Sequence, residues 1–258
     1  MWFQVIFINP MLNAMMWLVK VMPGHDLGVA IILVTLAIKL ILFFPSLSSI
    51  KSQHQLQDIQ PKVDAIKKKY AGNKEEMNKK MLEFYRENKV NPFSSCLPLL
   101  IQLPILYALI QVFYVIKRID PGTHLLSLDD LKHLYEPLRV FFETSKINAT
   151  FLGFIDLAAT KNYVLAILSG VASYFQIRMM QSKKPEVKSE GSKDEGIASI
   201  MNKQTSYVLP AFTVILGISF PAGITLYWLA STVFTIIQQW YFIKRHKHPT
   251  VNQEVLKV

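Results

Sequence analysis

Lys39 is the residue in this chain whose position most demands a chemical explanation. It is the only charge in an apolar run over 28–49, ~15 Å from either end at 1.5 Å of helical rise per residue. A lysine side chain reaches about 6 Å, so its ammonium cannot snorkel fully to either membrane interface. A charge held at mid-bilayer costs about 2.5–3.5 kcal/mol on insertion scales. Such a group is predicted to face a water-filled cavity, where it can attract carboxylates.

Other polar side chains inside apolar runs fit the same cavity. Thr35 lies one turn from Lys39 on the same helical face, Gln102 and Gln111 fall in a second run, and Gln176 near the end of a third. Tyr227, Ser231 and Thr235 recur every four residues, with Gln238 close by, so they share one face of a helix. Singly, each suits ordinary helix–helix hydrogen bonding in a membrane. Together with Lys39 they describe a wet groove lined by Lys39, Thr35, Gln102, Tyr227, Ser231, Thr235 and Gln238.

Catalytic and metal chemistry find no such grouping. The six histidines are scattered through loops and the helical segment 51–90, none inside an expected span, and no HExxH, GxSxG or Walker pattern occurs. His246-x-His248 reads as part of a basic juxtamembrane tail rather than a metal site. The single cysteine, Cys96, excludes an intramolecular disulfide and a cysteine-based zinc site. No enzyme activity, metal or cofactor is expected. The work is physical: altering how something enters or crosses a membrane.

The elements that must position these residues follow from composition. Of 258 residues, 51% are hydrophobic and 18% charged, with mean hydropathy +0.27. A soluble chain of this length would carry about 25% charge. Five segments approach the roughly 20 apolar residues a helix needs to cross a bilayer: 28–49, 94–116, 157–179, 205–220 and 222–243. The last two are separated only by the turn signal around Pro221 and Gly223, which predicts a tight helical hairpin. Residues 1–22 are apolar but interrupted by Asn9, Pro10, Asn13 and Lys20, and read as an interfacial amphipathic helix rather than a sixth span.

Charge sets the expected orientation. The formal net charge is +10, and in a chain with apolar runs of bilayer length it points to anionic lipid rather than to specific DNA binding. Segments 51–90, 178–203 and the tail after 243 hold 10, 6 and 4 Lys+Arg, against 7 in segments 1–27 and 117–161 combined. The positive-inside rule then puts the amino terminus outside and the carboxyl terminus in the cytoplasm.

Between spans, Leu56, Ile59, Val63, Ile66 and Tyr70 form one helical stripe, Gly72-Asn73 is a turn signal, and Met77, Met81, Phe84 and Tyr85 mark a second helix. Residues 51–90 are thus predicted to be a cytoplasmic antiparallel helical hairpin, with Pro61 kinking its first helix or delaying its start. The stretch 181–198 reads as a flexible cytoplasmic loop. Residues 244–258 read as a basic cytoplasmic tail. Short helices on the outer leaflet are expected within 117–156.

Several runs resemble the YidC/Oxa/Alb family of membrane-protein insertases along nearly the whole chain. They are Asn91-Pro92-x-x-x-Cys96-Leu97-Pro98-x-x-Ile101-Gln102-x-Pro104; Phe220-Pro221-Ala222-Gly223-Ile224-Thr225-Leu226-Tyr227-Trp228 with Ile236-Ile237-Gln238-Gln239; Gln60-Pro61-Lys62 followed by Ile66 and Tyr70; and Phe151-Leu152-Gly153-x-x-Asp156-Leu157. The resemblance implies an all-α polytopic protein of the short form, in which five transmembrane helices surround a hydrophilic groove open to cytoplasm and lipid. It implies that Lys39 stands where the family carries a groove arginine, keeping the charge but not the bidentate fork, and that Gly223, Tyr227 and Ser231 match positions that meet substrate. It further implies an insertase and chaperone working without nucleotide hydrolysis in the bacterial plasma membrane. Its partners would be nascent membrane proteins with acidic external segments, membrane lipid, the ribosome and the Sec translocon. The substrate's apolar helix is expected to leave between the third and fifth spans. The rival reading is a small-solute transporter or channel using the same cavity, which would need a matched pair of broken helices that the sequence does not offer.

Overall fold

A computed structural model describes residues 2–91, 97–120, 122–180 and 193–245, with backbone alone at 68, 97–99 and 193–205. The protein is mainly helical. A π-helical turn, Gln4–Ile8, runs into α1 (Asn9–Val21), followed by α2 (Leu27–Ile41), α3 (Phe43–Lys69), α4 (Lys74–Glu87) and α5 (Leu97–Lys117). Two short helices, α6 (Leu128–Leu131) and α7 (Glu136–Phe142), precede a two-stranded antiparallel hairpin, β1 (Thr150–Phe151) with β2 (Ile155–Asp156). Then come α8 (Tyr163–Met180), α9 (Lys193–Ser219) and α10 (Ala222–Arg245).

By length and composition three helices can cross a membrane: Gln4–Val21, Leu100–Lys117 and Tyr163–Met180. The bent pair Leu27–Ile41 and Phe43–Lys67 meets the same length and composition test only when its two helices are taken together, and Ser206–Ser219 is apolar but shorter. At 14 residues that last stretch spans ~20 Å, less than the ~30 Å hydrocarbon core. α10 is long enough, but the Ser, Thr and Gln on its inner face make it more polar than the three. An all-α, multi-pass membrane protein is the architecture these helices give.

The first expected span differs most from its expectation. The helix does not run straight through 28–49: it breaks at Leu42, and α2 and α3 meet at 68°. Pro45 gives the reason. It has no N–H to offer the carbonyl four residues back, and its ring crowds that carbonyl, so the ladder of α2 cannot continue past Ile41. α3, by contrast, runs unbroken through Pro61, where the sequence predicted a kink or a late start. The third span begins at Tyr163 rather than 157, because Asn162 caps α8 by accepting from Leu165 N at 2.9 Å. Residues 193–198, expected in a flexible loop, form the first turns of α9. The rest of that loop (181–192), the tail beyond 245, Cys96 and His246-x-His248 lie outside the described residues.

Residues 51–87 form two helices joined by a short turn. Asn73 caps α4 by accepting from Glu76 N at 3.2 Å, and Ile59 and Val63 of α3 are buried.

At the other end of the bundle, α1 is tied to the segment after α5. Its inner stripe, Leu12, Met15, Met16 and Val19, is at most 1% exposed and belongs to the main apolar core. Asn13, also buried, donates to His133 O at 3.0 Å and accepts from Tyr135 N at 2.6 Å. Lys20 lies over the Phe141 ring at 4.8 Å. Asp130, 2% exposed, accepts from Arg118 and from Ser127 Oγ at 2.6 Å. Hydrogen bonding to that carboxylate pushes the Arg118 guanidinium above its ordinary pKa. Asn13→Leu would leave two backbone groups without partners at a buried position, each worth about 1–3 kcal/mol. We expect a drop in thermal midpoint of several degrees in detergent. An unchanged midpoint would show that α1 is not held by this contact.

Candidate functional site

The site is built where α2, α3 and α5 meet α10. α2 starts at Asp26, whose side chain accepts from Val29 N at 3.0 Å. Gly28 is required in its first turn because the Phe151 side chain occupies the space a Cβ would take. That start sets the register that carries Lys39 into the last turn of α2, ~18 Å along the helix. The negative end of a helix dipole favours a cation there.

Half-buried, Lys39 Nζ donates to Thr235 Oγ1 at 3.3 Å. Thr235 in turn donates to Ser231 O at 2.9 Å, which orients its oxygen to accept from the ammonium. Among the described residues no carboxylate pairs with Lys39. A single neutral hydroxyl replaces little of an ammonium's hydration, so the remaining donors need water or an anion.

Along the same face of α10, Tyr227 is hydrogen-bonded to Gln102 of α5 and to Ser231. Towards the other end, Gln238 accepts from Ser46 Oγ at 2.9 Å and donates to Phe43 O at 3.2 Å. The amide therefore sits on the first turn of α3. One turn on, His54 of α3 stacks on Phe242 with ring centroids 5.4 Å apart.

The structure thus brings together six of the residues singled out by sequence: Lys39, Gln102, Tyr227, Ser231, Thr235 and Gln238. The remaining two stand behind them. Thr35 is fully buried and spends its hydroxyl on Ile31 O at 2.6 Å within its own helix. Gly223 is packed against the Phe113 ring, and its N–H donates to Leu157 O at 2.9 Å. Both are wall rather than lining, and their reason is close approach. Ser46 is the polar neighbour that sequence reasoning missed. Its signal was Pro45, which ends α2 and begins a new helix whose exposed first turn seeks polar partners.

α10 is anchored by its N-terminus and by small residues. Ala222 N donates to Ala159 O at 2.8 Å, so the 157–161 loop supplies acceptors for the orphan N–H groups. Thr225 Oγ1 donates to Gly217 O at 3.0 Å, and Ser169 of α8 donates to Thr225 O at 3.4 Å. Helices α8, α9 and α10 are therefore packed backbone to backbone. Among the described residues no His, Cys, Asp and Glu grouping could hold a metal ion.

The site thus joins an ammonium, whose hydrogen-bond partner is the Thr235 hydroxyl, to a row of further hydroxyls and amides along α10. Similarity to known proteins identifies the family. A family model described as 60Kd inner membrane protein matches residues 17–249. A protein named Membrane protein insertase YidC from Fusobacterium nucleatum is 32% identical over 220 residues, 85% of this chain and 87% of that protein. Membrane protein insertase YidC 1 of Lactococcus lactis is 32% identical over 228 residues, 87% of this chain and 71% of the relative. The YidC of Geobacter metallireducens is 30% identical over 245 residues, 94% of this chain but 38% of that longer protein. None of these names supports the transporter or channel reading. Matched over most of its length, the chain belongs to the 60Kd inner membrane protein family, that of the YidC/Oxa/Alb insertases.

Proposed function

We propose that this membrane-protein insertase captures an arriving segment in the space between α2, α5 and α10, where Lys39 attracts acidic residues of the segment's external part. The observation that carries the reading is the Lys39 ammonium, half-buried against Thr235 Oγ1 with no carboxylate partner among the described residues. Tyr227, Gln102, Ser231, Thr235 and Gln238 supply hydroxyls and amides that let polar chain pass without binding it tightly. No nucleotide is required, because burial of the apolar helix in lipid, about 25 cal/mol per Å² removed from water, drives release.

The exit is better placed beside α5 than between the third and fifth spans. α8 and α10 are locked together through Ser169, Gly217 and Thr225, whereas α5 meets α10 at two points, Gln102–Tyr227 and Phe113–Gly223. The outer face of α5 offers exposed Leu100, Leu103 and Tyr107 to an apolar helix.

The amino terminus lies outside and the carboxyl terminus in the cytoplasm, as the lysine and arginine distribution indicates. The α1 contacts with His133, Tyr135 and Phe141 then close the outer end of the bundle, and they tie α1 to the outer interface although Gln4–Val21 is long and apolar enough to cross. The α3–α4 hairpin faces the cytoplasm, where its lysines suit the ribosome and anionic lipid, and the Sec translocon is a further partner.

Orientation is open to a direct test at the α9–α10 turn. Ile224 is 2% exposed and would hide a label, while Ser219 is exposed and Phe220 partly so. Ser219→Cys and Phe220→Cys, each in a Cys96→Ser background, should react with an impermeant thiol reagent added outside the cell. Reaction only from the cytoplasmic side would invert the topology.

A further inference from the structure

The β1–β2 hairpin ends in a turn that neither packing nor the site described above explains. Phe154 N donates to Phe151 O at 3.3 Å, closing a turn around Leu152 and Gly153. Both central residues are left-handed, with φ 53° at Leu152 and 79° at Gly153. Such a turn favours Asn or Gly at its first central position, and a leucine there is strained. The strain gains no packing inside the protein, because Leu152 is 66% exposed and Phe154 74%. Held out in water, the two side chains would add unburied apolar surface to the cost of the turn.

The root of the hairpin fixes where that tip lies. Leu27 N donates to Asn148 O at 3.0 Å and Asn148 N to His25 O at 3.1 Å, which ties the segment to the start of α2. Phe151 fills the space over Gly28, in the first turn of α2. Leu157 O and Ala159 O accept from Gly223 N and Ala222 N at the start of α10, and Lys161 N donates to Ile218 O at the end of α9. One face of the bundle therefore gathers the ends of α2, α9 and α10 around this hairpin, and α8 leaves it at Tyr163. The exposed apolar surface of α8 begins at once, with Tyr163 and Val164. The hairpin thus stands at the level where lipid contact starts, the boundary of headgroups and acyl chains that aromatic and aliphatic side chains occupy. No charged residue lies between Lys146 and Asp156 to oppose entry.

We propose that Leu152 and Phe154 dip into the lipid leaflet at this end of the bundle, the outer leaflet in the orientation proposed above. There they anchor the segment that joins α2, α9 and α10. Acyl chains around the two side chains supply the apolar burial that the turn cannot find within the protein. An anchor at this point also fixes the depth at which α2 starts, and with it the depth of Lys39. The inference is independent of capture at Lys39 and needs only that α2 and α8 enter a membrane.

The test is quenching of a fluorophore on the full chain reconstituted in phosphatidylcholine vesicles. In a Cys96→Ser background, Phe154→Cys carries a bimane label, and Glu143→Cys, at an exposed charged position of the same segment, serves as control. Lipid with a nitroxide high on its acyl chain should quench the label at 154 at least threefold more than at 143, and iodide in the buffer at least threefold less. The nitroxide lipid is present in both leaflets, so the result does not depend on orientation. Iodide quenching as strong at 154 as at 143 puts the tip in water and overturns the proposal. Protection from both quenchers indicates a protein partner and overturns it as well. A second readout is Leu152→Asn, which suits the left-handed turn better but removes the apolar contact. In lipid nanodiscs the anchor predicts a lowered thermal midpoint, whereas a tip in water predicts a raised one, because only strain is relieved. A midpoint that does not fall overturns the proposal.

Discussion

Lys39→Glu should insert a substrate with an acidic external tail far less well than the unaltered protein, and Lys39→Ala should fall between them. A unit charge pair about 6 Å apart at an effective dielectric near 20 is worth about 2–3 kcal/mol. Sharing the ammonium with water reduces that, so about tenfold is expected for Ala and more for Glu. Lys39→Arg should keep activity or raise it, because guanidinium stays charged and adds a bidentate fork for carboxylates. Stability should move the other way. With no anionic partner among the described residues, removing the charge should leave the thermal midpoint unchanged or raised. Insertion assayed at matched expression, with each variant's midpoint alongside, reads both signs at once. Full activity of Lys39→Ala across several acidic substrates would remove the electrostatic role.

The largest structural effect is expected at Gly217. A Cβ there would lie 3.0 Å from Ala166 Cα and 3.1 Å from Thr225 Cγ2, so α8, α9 and α10 all approach it. Backbone cannot give way as a flexible side-chain tip does. Gly217→Ala should cost about 1–3 kcal/mol as an overpacked site, and Gly217→Leu should prevent the three helices from assembling. The measurement is yield of monodisperse protein and its midpoint. A stable Gly217→Leu variant would show that α8, α9 and α10 do not need this close approach. Because the contact lies beside the capture face and not on it, insertion per folded molecule should survive the Ala variant.

Much of this was legible in the sequence, for reasons that can be named. Period-four spacing alone put Tyr227, Ser231 and Thr235 on one face, and α10 carries them as expected. The depth of Lys39 in an apolar run announced that something must solvate it, and the Gly72-Asn73 signal marked the turn between α3 and α4. The bend at Leu42 escaped because hydropathy averages over Pro45, although a proline three residues past the break is the local cause. The partner of Lys39 could not be read either: Thr235 is 196 residues away, and sequence spacing carries no information on which face of α2 meets which face of α10. Gly223 and Thr35 were readable as special but not as wall, since a glycine needed for Phe113 and one needed for a ligand look alike in a sequence.

The claim at the centre of this account is that Lys39 and the acids of the substrate meet as opposite charges. A charge exchange tests it most directly. Insertion of a single-span substrate is measured in the Lys39→Glu background, first with its acidic external residues intact and then with those residues replaced by lysine. Opposite charges at both ends should return insertion to near the original level, while the lysine-bearing substrate should insert poorly with Lys39 unaltered. Equal insertion of both substrates by Lys39→Glu, or a defect that the exchange does not relieve, would contradict the account.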